Sequence, residues 1–206
     1  MVRSRKIKRK VAIIASSRAT YGYKRRLLLE MKKSKDLELQ LIVTGMHLMK
    51  KYGNSVHEII KDKIPISFKI PIFQEKDSNL EFVKALGIEI QKLSQCFNSL
   101  QPDIVLVTGD RAEMFAATLA AVYMNLPVAH IQSGDVSGHI DGSVRHAITK
   151  LAHIHLASCQ DSANRVLKMG EEKWRVFNVG APQLDELINS KKFSRKEISN
   201  RLGHKF

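Results

Sequence analysis

The sequence predicts an α/β fold, a Rossmann-like doubly wound parallel sheet, and three observations predict it. Residues 10–16 (KVAIIAS) and 103–108 (DIVLVT) are uninterrupted apolar runs, as expected of strands buried on both faces rather than on one. These runs alternate with segments of helical periodicity, the pattern of βαβ units. Polar and glycine-rich clusters follow the runs directly, so they fall beyond the strands' carboxyl ends, where open α/β sheets bind ligands.

In order along the chain, the strand at 10–16 ends in Ser16, Ser17 and Arg18 before an amphipathic stretch at 23–33. A second strand at 37–43 ends at Thr44 and Gly45, with Met46, His47, Tyr52 and Gly53 in the following loop and helix start. A third strand is expected near 66–72. Residues 79–100 place Val83, Leu86, Ile90, Leu93, Phe97 and Leu100 three and four apart, which predicts a helix with one buried face. The strand at 103–108 turns through Gly109, Asp110 and Arg111 into an alanine-rich helix at 112–124. Strand 128–131, helix 143–153, strand 154–157, helix 162–168 and strand 175–179 repeat the unit, and Gly180 and Pro182 open a further helix. Ser194 and Glu197 have capping-box spacing for a last short helix. We therefore divide the chain into a basic tail at 1–9, a Rossmann-like domain at 10–189 and a connector at 190–206.

Composition narrows the function classes. A hydrophobic share of 44% is that of a globular protein. No apolar run approaches the roughly 20 residues of a membrane span, and the stretch at 11–15 is short for a signal peptide, so a cytoplasmic protein without membrane association is expected. Cys96 and Cys159 match no metal or redox spacing and read as small hydrophobes of a reducing compartment. The net charge of +14 invites nucleic acid or an anionic ligand, yet Arg3, Arg5, Lys6, Lys8, Arg9 and Lys10 crowd the first ten residues and other lysines fall on solvent faces of helices. Without a nucleic-acid-binding signature a solvated surface is the better reading, and a phosphate-bearing small ligand is compatible.

Chemistry concentrates at 127–158, where a short apolar strand feeds a loop and then a helix. Gln132, Asp135, His139, Asp141, Arg145 and His146 are candidates by position and by chemistry. The histidine spacings there match no standard ligand pattern, so no metal is assigned. GxGxxG and GxxxxGK[ST] loops are missing, which disfavours dinucleotide and P-loop functions and leaves no cofactor assigned. Ser16, Ser17 and Arg18 suit either a phosphate at a helix start or an N-cap with a surface arginine. Asp110, with Glu113 three residues on, suits either a general acid/base or a helix cap.

Gly109-Asp110-Arg111, the run HIQSGDVSGHIDGSVRHAITKLAHIH and Arg175-Val176-Phe177-Asn178-Val179-Gly180-Ala181-Pro182 together resemble the UDP-N-acetylglucosamine 2-epimerase family. Ser17-Arg18-Ala19-Thr20-Tyr21-Gly22 and Thr44-Gly45-Met46-His47 resemble the first loops of its hydrolysing, sialic-acid-type branch. The resemblance implies one half of a GT-B-like two-domain fold that binds a UDP-sugar, with a second-domain chain or a homo-oligomer as partner. It implies conversion of UDP-N-acetylglucosamine and water to N-acetylmannosamine and UDP, through elimination to a glycal and hydration, with weak turnover from this half alone. It further implies Asp110 and Asp141 as acid/base groups, with Gln132 standing where the family carries a carboxylate. Arg18, His47, Arg111, Ser133, Gly134, Asp135, Arg145 and His146 are the implied substrate contacts. Related UDP-diacetamido sugars, the non-hydrolysing reaction and a non-catalytic assembly module are the alternatives.

Overall fold

The computed structural model describes residues 8–72, 78–189 and 192–204. Seven strands, β1 (Arg9–Ala15), β2 (Leu37–Thr44), β3 (Ile66–Ile70), β4 (Ile104–Thr108), β5 (Val128–Ile131), β6 (Ile154–Ala157) and β7 (Val176–Asn178), form one sheet in the order β3-β2-β1-β4-β5-β6-β7. Every pairing is parallel. The chain winds outward from β1 to β3 and then returns to lay β4 against the other side of β1. The topological switch point therefore lies between β1 and β4, and loops diverging there leave a crevice at the carboxyl edge.

The pleat divides the strand residues between two cores. Ala12, Ile14, Ile42, Val105, Val107 and Val128 pack beneath α3 (Asn79–Leu100), α4 (Ala112–Tyr123) and α5 (His139–Leu151). Val11, Ile13, Ala15, Leu41, Val43 and Ile131 face the opposite layer, which includes Tyr21, Leu28 and Met31 of α1 (Arg18–Lys33) and Val56 and Ile59 of α2 (Val56–Lys61). Ile13, Ile14, Leu41 and Ile42 are wholly buried, and withdrawing each side chain from water contributes roughly 1.5–3 kcal/mol. Alternate residues of one run thus serve two layers, which is why the runs are apolar throughout. Three further helices, α6 (Gln160–Lys168), α7 (Gln183–Asn189) and α8 (Arg195–Leu202), complete the described chain.

Several boundaries differ from the sequence expectation for identifiable reasons. Helix α1 starts at Arg18 rather than at 23, because Ser17 and Thr20 form a reciprocal capping box. Helix α5 starts at His139, so Asp141 sits in its first turn rather than in a loop. Residues 45–52 form two 3-10 turns (Gly45–Leu48 and Lys50–Tyr52), so the helix expected to start near Tyr52 and Gly53 begins only at Val56, as α2. Val83 of α3 is exposed, and the buried face runs instead through Ala85, Glu89, Leu93, Cys96 and Phe97. Cys159 is exposed, unlike Cys96, whose thiol burial pushes up to about 12. Lys24 is fully buried rather than on a solvent face. The Ser194–Glu197 capping box of α8 is present. The basic tail at 1–9 lies mostly outside the described residues, while Arg9 opens β1.

Gly134 shows how tightly the carboxyl edge is packed. Its φ of +74° is in the left-handed region, and an added Cβ would overlap the Ser162 carbonyl and come within 2.6 Å of Val166 Cγ2. Gly134→Ala should therefore lower unfolding stability by roughly 2–4 kcal/mol through strain and overpacking, measurable as a reduced urea midpoint with unchanged m-value.

Candidate active site

The loops after β1, β2, β4, β5 and β6 converge at the carboxyl edge, and Asp110 stands at their centre. It is not the cap of α4. Arg111 takes the N-cap position without a side-chain cap bond, and the Asp110 carboxylate turns instead toward α5. Its Oδ2 accepts from Arg145 Nε at 3.1 Å, from Arg145 Nη2, and from Ser137 Oγ at 3.1 Å. The Arg145 side chain is only 10% exposed, and its Nη1 lies 3.6 Å from Asp135 Oδ2. Asp135 Oδ1 in turn accepts from Ser158 Oγ at 2.5 Å and Ser162 Oγ at 2.6 Å. One guanidinium therefore holds carboxylates from the loops after β4 and β5, and the β5 loop is tied onward to the start of α6.

Gln132 follows β5 with a left-handed backbone, φ 63°, an uncommon conformation for a residue with a side chain. Its backbone N–H donates to Leu156 O at 2.9 Å, and its Oε1 lies 3.4 Å from where a Cβ on Gly109 would stand. Gly109 itself has φ +76°, so the Gln132 amide packs beside a turn that glycine favours, one residue from Asp110. Ser133 is buried with its Oγ unpartnered, and Gly134 offers its carbonyl to Arg165 Nη1. Asp141 is exposed in the first turn of α5, within electrostatic reach of Arg111, which also senses Asp110. His146 is half-buried on α5, its Nδ1 unpartnered.

Two sequence candidates lie apart from this group. Arg18 is exposed at the start of α1 and pairs with Glu58 Oε1 at 2.9 Å, the surface-arginine alternative, while Ser17 is the N-cap. His47 is fully buried: Nδ1 bonds Ser55 Oγ at 2.9 Å, and its ring meets Tyr21 edge-on at 6.0 Å. Burial, with the Lys24 charge nearby, lowers its pKa to about 4. Its backbone N–H donates to Ser16 O at 3.2 Å, linking the loops after β1 and β2.

Sequence reasoning missed the supporting layer. His130 of β5 is wholly buried, and burial lowers its pKa to about 3. A carbonyl only accepts, so Nε2–H donates to Gly109 O at 2.8 Å, and Nδ1 meets Thr149 Oγ1 at 3.2 Å. The turn that carries Asp110 is thus held from below. Glu113 accepts from Arg111 Nε and Nη2, both at 3.1 Å, and would lie 2.7 Å from a Cβ on Gly45. Lys24 Nζ donates to Ile14 O at 2.5 Å, and burial lowers its pKa to about 7 against the opposing pull of Glu113. Glu89 of α3 is buried, and burial raises its pKa to about 7. A lone polar residue within an otherwise apolar strand or helix face, as at His130 and Glu89, was the available signal. Between the turn after β2 and the starts of α3 and α4 lies a cleft of about 280 Å³, with Arg111, Glu113 and Glu89 on its polar side.

The sequence profile described as UDP-N-acetylglucosamine 2-epimerase matches residues 29–205. The chain belongs to this family. Among curated relatives, UDP-N,N'-diacetylbacillosamine 2-epimerase (hydrolyzing) of Legionella pneumophila is 41% identical over 95% of this chain and 52% of its own length. UDP-N-acetylglucosamine 2-epimerase of Neisseria meningitidis serogroup B is 33% identical over 95% of the chain and 51% of its own. A crystal structure of UDP-GlcNAc 2-epimerase from Neisseria meningitidis bound to UDP-GlcNAc superposes with a TM-score of 0.76 at 24% identity, over 87% of this chain and 48% of that one. The chain spans about half the length of the curated relatives it matches and has the fold of one half of these GT-B-like proteins.

Two consequences for stability follow from this geometry. Arg145→Ala leaves the Asp110 and Asp135 carboxylates without their shared counter-ion and should cost about 3–5 kcal/mol, read as a lower unfolding midpoint. The folded-state pKa of Glu89 exceeds the ordinary carboxylate value. Folded protein therefore keeps a proton that unfolded chain releases, and this stabilisation declines as pH rises from about 4.5 to 7. Glu89→Gln should flatten that decline, with wild type losing roughly 1–3 kcal/mol relative to the variant between pH 4.5 and 8 in urea titrations.

Proposed function

We propose that this chain carries the acid/base side of a hydrolysing 2-epimerase acting on a UDP-linked 2-acetamido sugar. The observation that carries the reading is Asp110, held at the switch-point edge by Arg145 and Ser137, with Asp141 on α5 sharing its electrostatic neighbour Arg111. Removing the proton on sugar carbon 2 while UDP departs from carbon 1 gives a glycal. Water then adds at carbon 1 as a proton returns to carbon 2 from the opposite face, releasing the free epimer.

This chemistry asks for one proton-transfer group on each face of the ring, and two carboxylates on separate elements, the loop after β4 and the start of α5, suit that demand. Gln132 cannot exchange a proton at neutral pH, but its amide can donate to and accept from a sugar substituent. The reading therefore assigns proton transfer to Asp110 and Asp141, and gives Gln132, Ser133 and His146 to the sugar and Arg111 to the leaving diphosphate. Two substrates are in view. UDP-N-acetylglucosamine follows from the family, whereas the relatives at 41% and 35% identity are both named for N,N'-diacetylbacillosamine, which favours a UDP-diacetamido sugar.

The test measures UDP release and the free sugar from both substrates in deuterium oxide, with the chain alone and with the other half of the Legionella relative supplied in trans. Deuterium at carbon 2 of the product is expected, and Asp110→Asn and Asp141→Asn should each slow release 10²–10⁴-fold. UDP release without deuterium at carbon 2, or full activity in both variants, would sink the assignment.

A further inference from the structure

One face of α5 carries Asp141, Arg145 and Thr149, spaced four residues apart, so each step along it advances about 6 Å. Burial deepens in the same order: Asp141 is exposed, Arg145 is buried and Thr149 is wholly buried. The turn after β4 is joined to this face at two levels. Arg145 meets the Asp110 carboxylate directly. One level deeper Thr149 Oγ1 meets the ring of His130 at 3.2 Å, and the other ring nitrogen lies 2.8 Å from the carbonyl of Gly109, the residue before Asp110.

The partners of the His130 ring assign its protons. A carbonyl only accepts, so Nε2 carries a hydrogen. Burial keeps the imidazole neutral, and the nearby Arg145 guanidinium opposes a second positive charge. Nδ1 is then an acceptor and the Thr149 hydroxyl its donor. That hydroxyl also lies 2.9 Å from Arg145 O, but this carbonyl accepts the helical N–H of Thr149, so the single hydroxyl proton goes to the ring. Gly109 N–H donates to Ile131 O at 3.1 Å, so both backbone polar groups of Gly109 are bound to β5. A flat, wholly buried ring thus bridges the turn before Asp110 and the inner end of the α5 face.

We propose that His130 is a positioning residue for proton transfer, the spacer that sets how far the Asp110 turn stands from α5 and so the gap between Asp110 and Asp141. The proposal rests on the epimerase reading above and adds how its two acid/base groups are held apart. Two carboxylates on separate elements repel one another, so their separation comes from the groups that bridge those elements. Arg145 is one bridge, but its side chain is long and adapts to small displacements. The imidazole, fixed on a central strand and bonded at both ends, admits little change in length. A displacement of about 1 Å caused by a residue away from the chemistry costs up to about 10²-fold in rate, so a group that touches no substrate still governs turnover.

The experiment measures kcat and KM with the other half of the Legionella relative in trans, and follows the histidine ring nitrogens of the chain by ¹⁵N NMR, assigned with His130→Gln. In wild type the His130 ring should be neutral with its hydrogen on Nε2, unchanged between about pH 5 and 8. His130→Leu, which fills the site without bridging it, should lower kcat roughly 10²-fold with KM within about twofold. Thr149→Val removes only the α5 end of the bridge and should lower kcat roughly tenfold, whereas His130→Gln, whose amide N–H stands where Nε2–H stood, should return kcat to within about fivefold of wild type. The double variant His130→Leu, Thr149→Val should be no slower than His130→Leu, because both changes remove one bridge. If His130→Leu does not fold, Thr149→Val and His130→Gln decide the matter. A ring with its hydrogen on Nδ1, or one that titrates in that range, overturns the bridge. Turnover sensitive to Asp110→Asn with kcat untouched in Thr149→Val, or losses that follow the folded fraction alone, overturns the positioning role and leaves the epimerase reading standing. No turnover in wild type overturns both together.

Discussion

A single guanidinium, that of Arg145, sets the geometry on which the carboxyl edge depends. It lies almost out of water between carboxylates from two loops, Asp110 after β4 and Asp135 after β5. Taking three charges out of solvent is costly, and the arrangement holds only because each carboxylate also accepts from hydroxyls: Ser137 on one side, Ser158 and Ser162 on the other. Such a cluster tolerates little displacement, since moving either loop strands a buried charge. The consequence is a carboxylate held in one position beside the switch point by its partners on α5 and the loop before it.

Beneath this clamp lies a second layer whose charges alternate. Lys24 and Arg111 both act on Glu113, while Glu89 lines the same cleft as an acid whose pKa burial raises to about 7. His130 grips the Gly109 carbonyl as a neutral donor, and His47 ties its own loop to Ser16. These groups come from α1, α3, the start of α4, β5 and the turn after β2, and they meet near the strands' carboxyl ends, where a doubly wound sheet opens its loops apart. The polar residues there replace the helix packing that covers the strands elsewhere. The structure concentrates its buried polarity where the fold leaves a crevice, and keeps the two flanking cores apolar.

Family membership and local geometry bear on different questions. The profile match and the relatives assign the chain to the UDP-N-acetylglucosamine 2-epimerases, whose curated members span both N-acetylglucosamine and diacetylbacillosamine names. The geometry of the carboxyl edge shows instead which loops and charges the chain itself brings together.

Much of the architecture was legible in the chain. Unbroken apolar runs alternating with helical periodicity determined a parallel sheet with two buried faces, because only such a strand has no polar side. The loop residues that follow the strands marked the carboxyl edge, where Asp110, Asp135 and Arg145 come together. Other features depended on residues far apart in sequence. That Asp110 does not cap its helix was decided by Arg145, 35 positions away, which draws the carboxylate toward α5. A lysine at residue 24 reads as solvated on an amphipathic helix, yet it is fully buried. Local pattern reports which face of a helix a residue occupies, whereas its partners and its exposure depend on what the rest of the sheet brings alongside. The sequence by itself therefore determined the layers and the edge at which the polar residues fall, because local periodicity fixes both, and only the tertiary structure decided which charges are buried and which are paired, because those partners come from separate strands and helices.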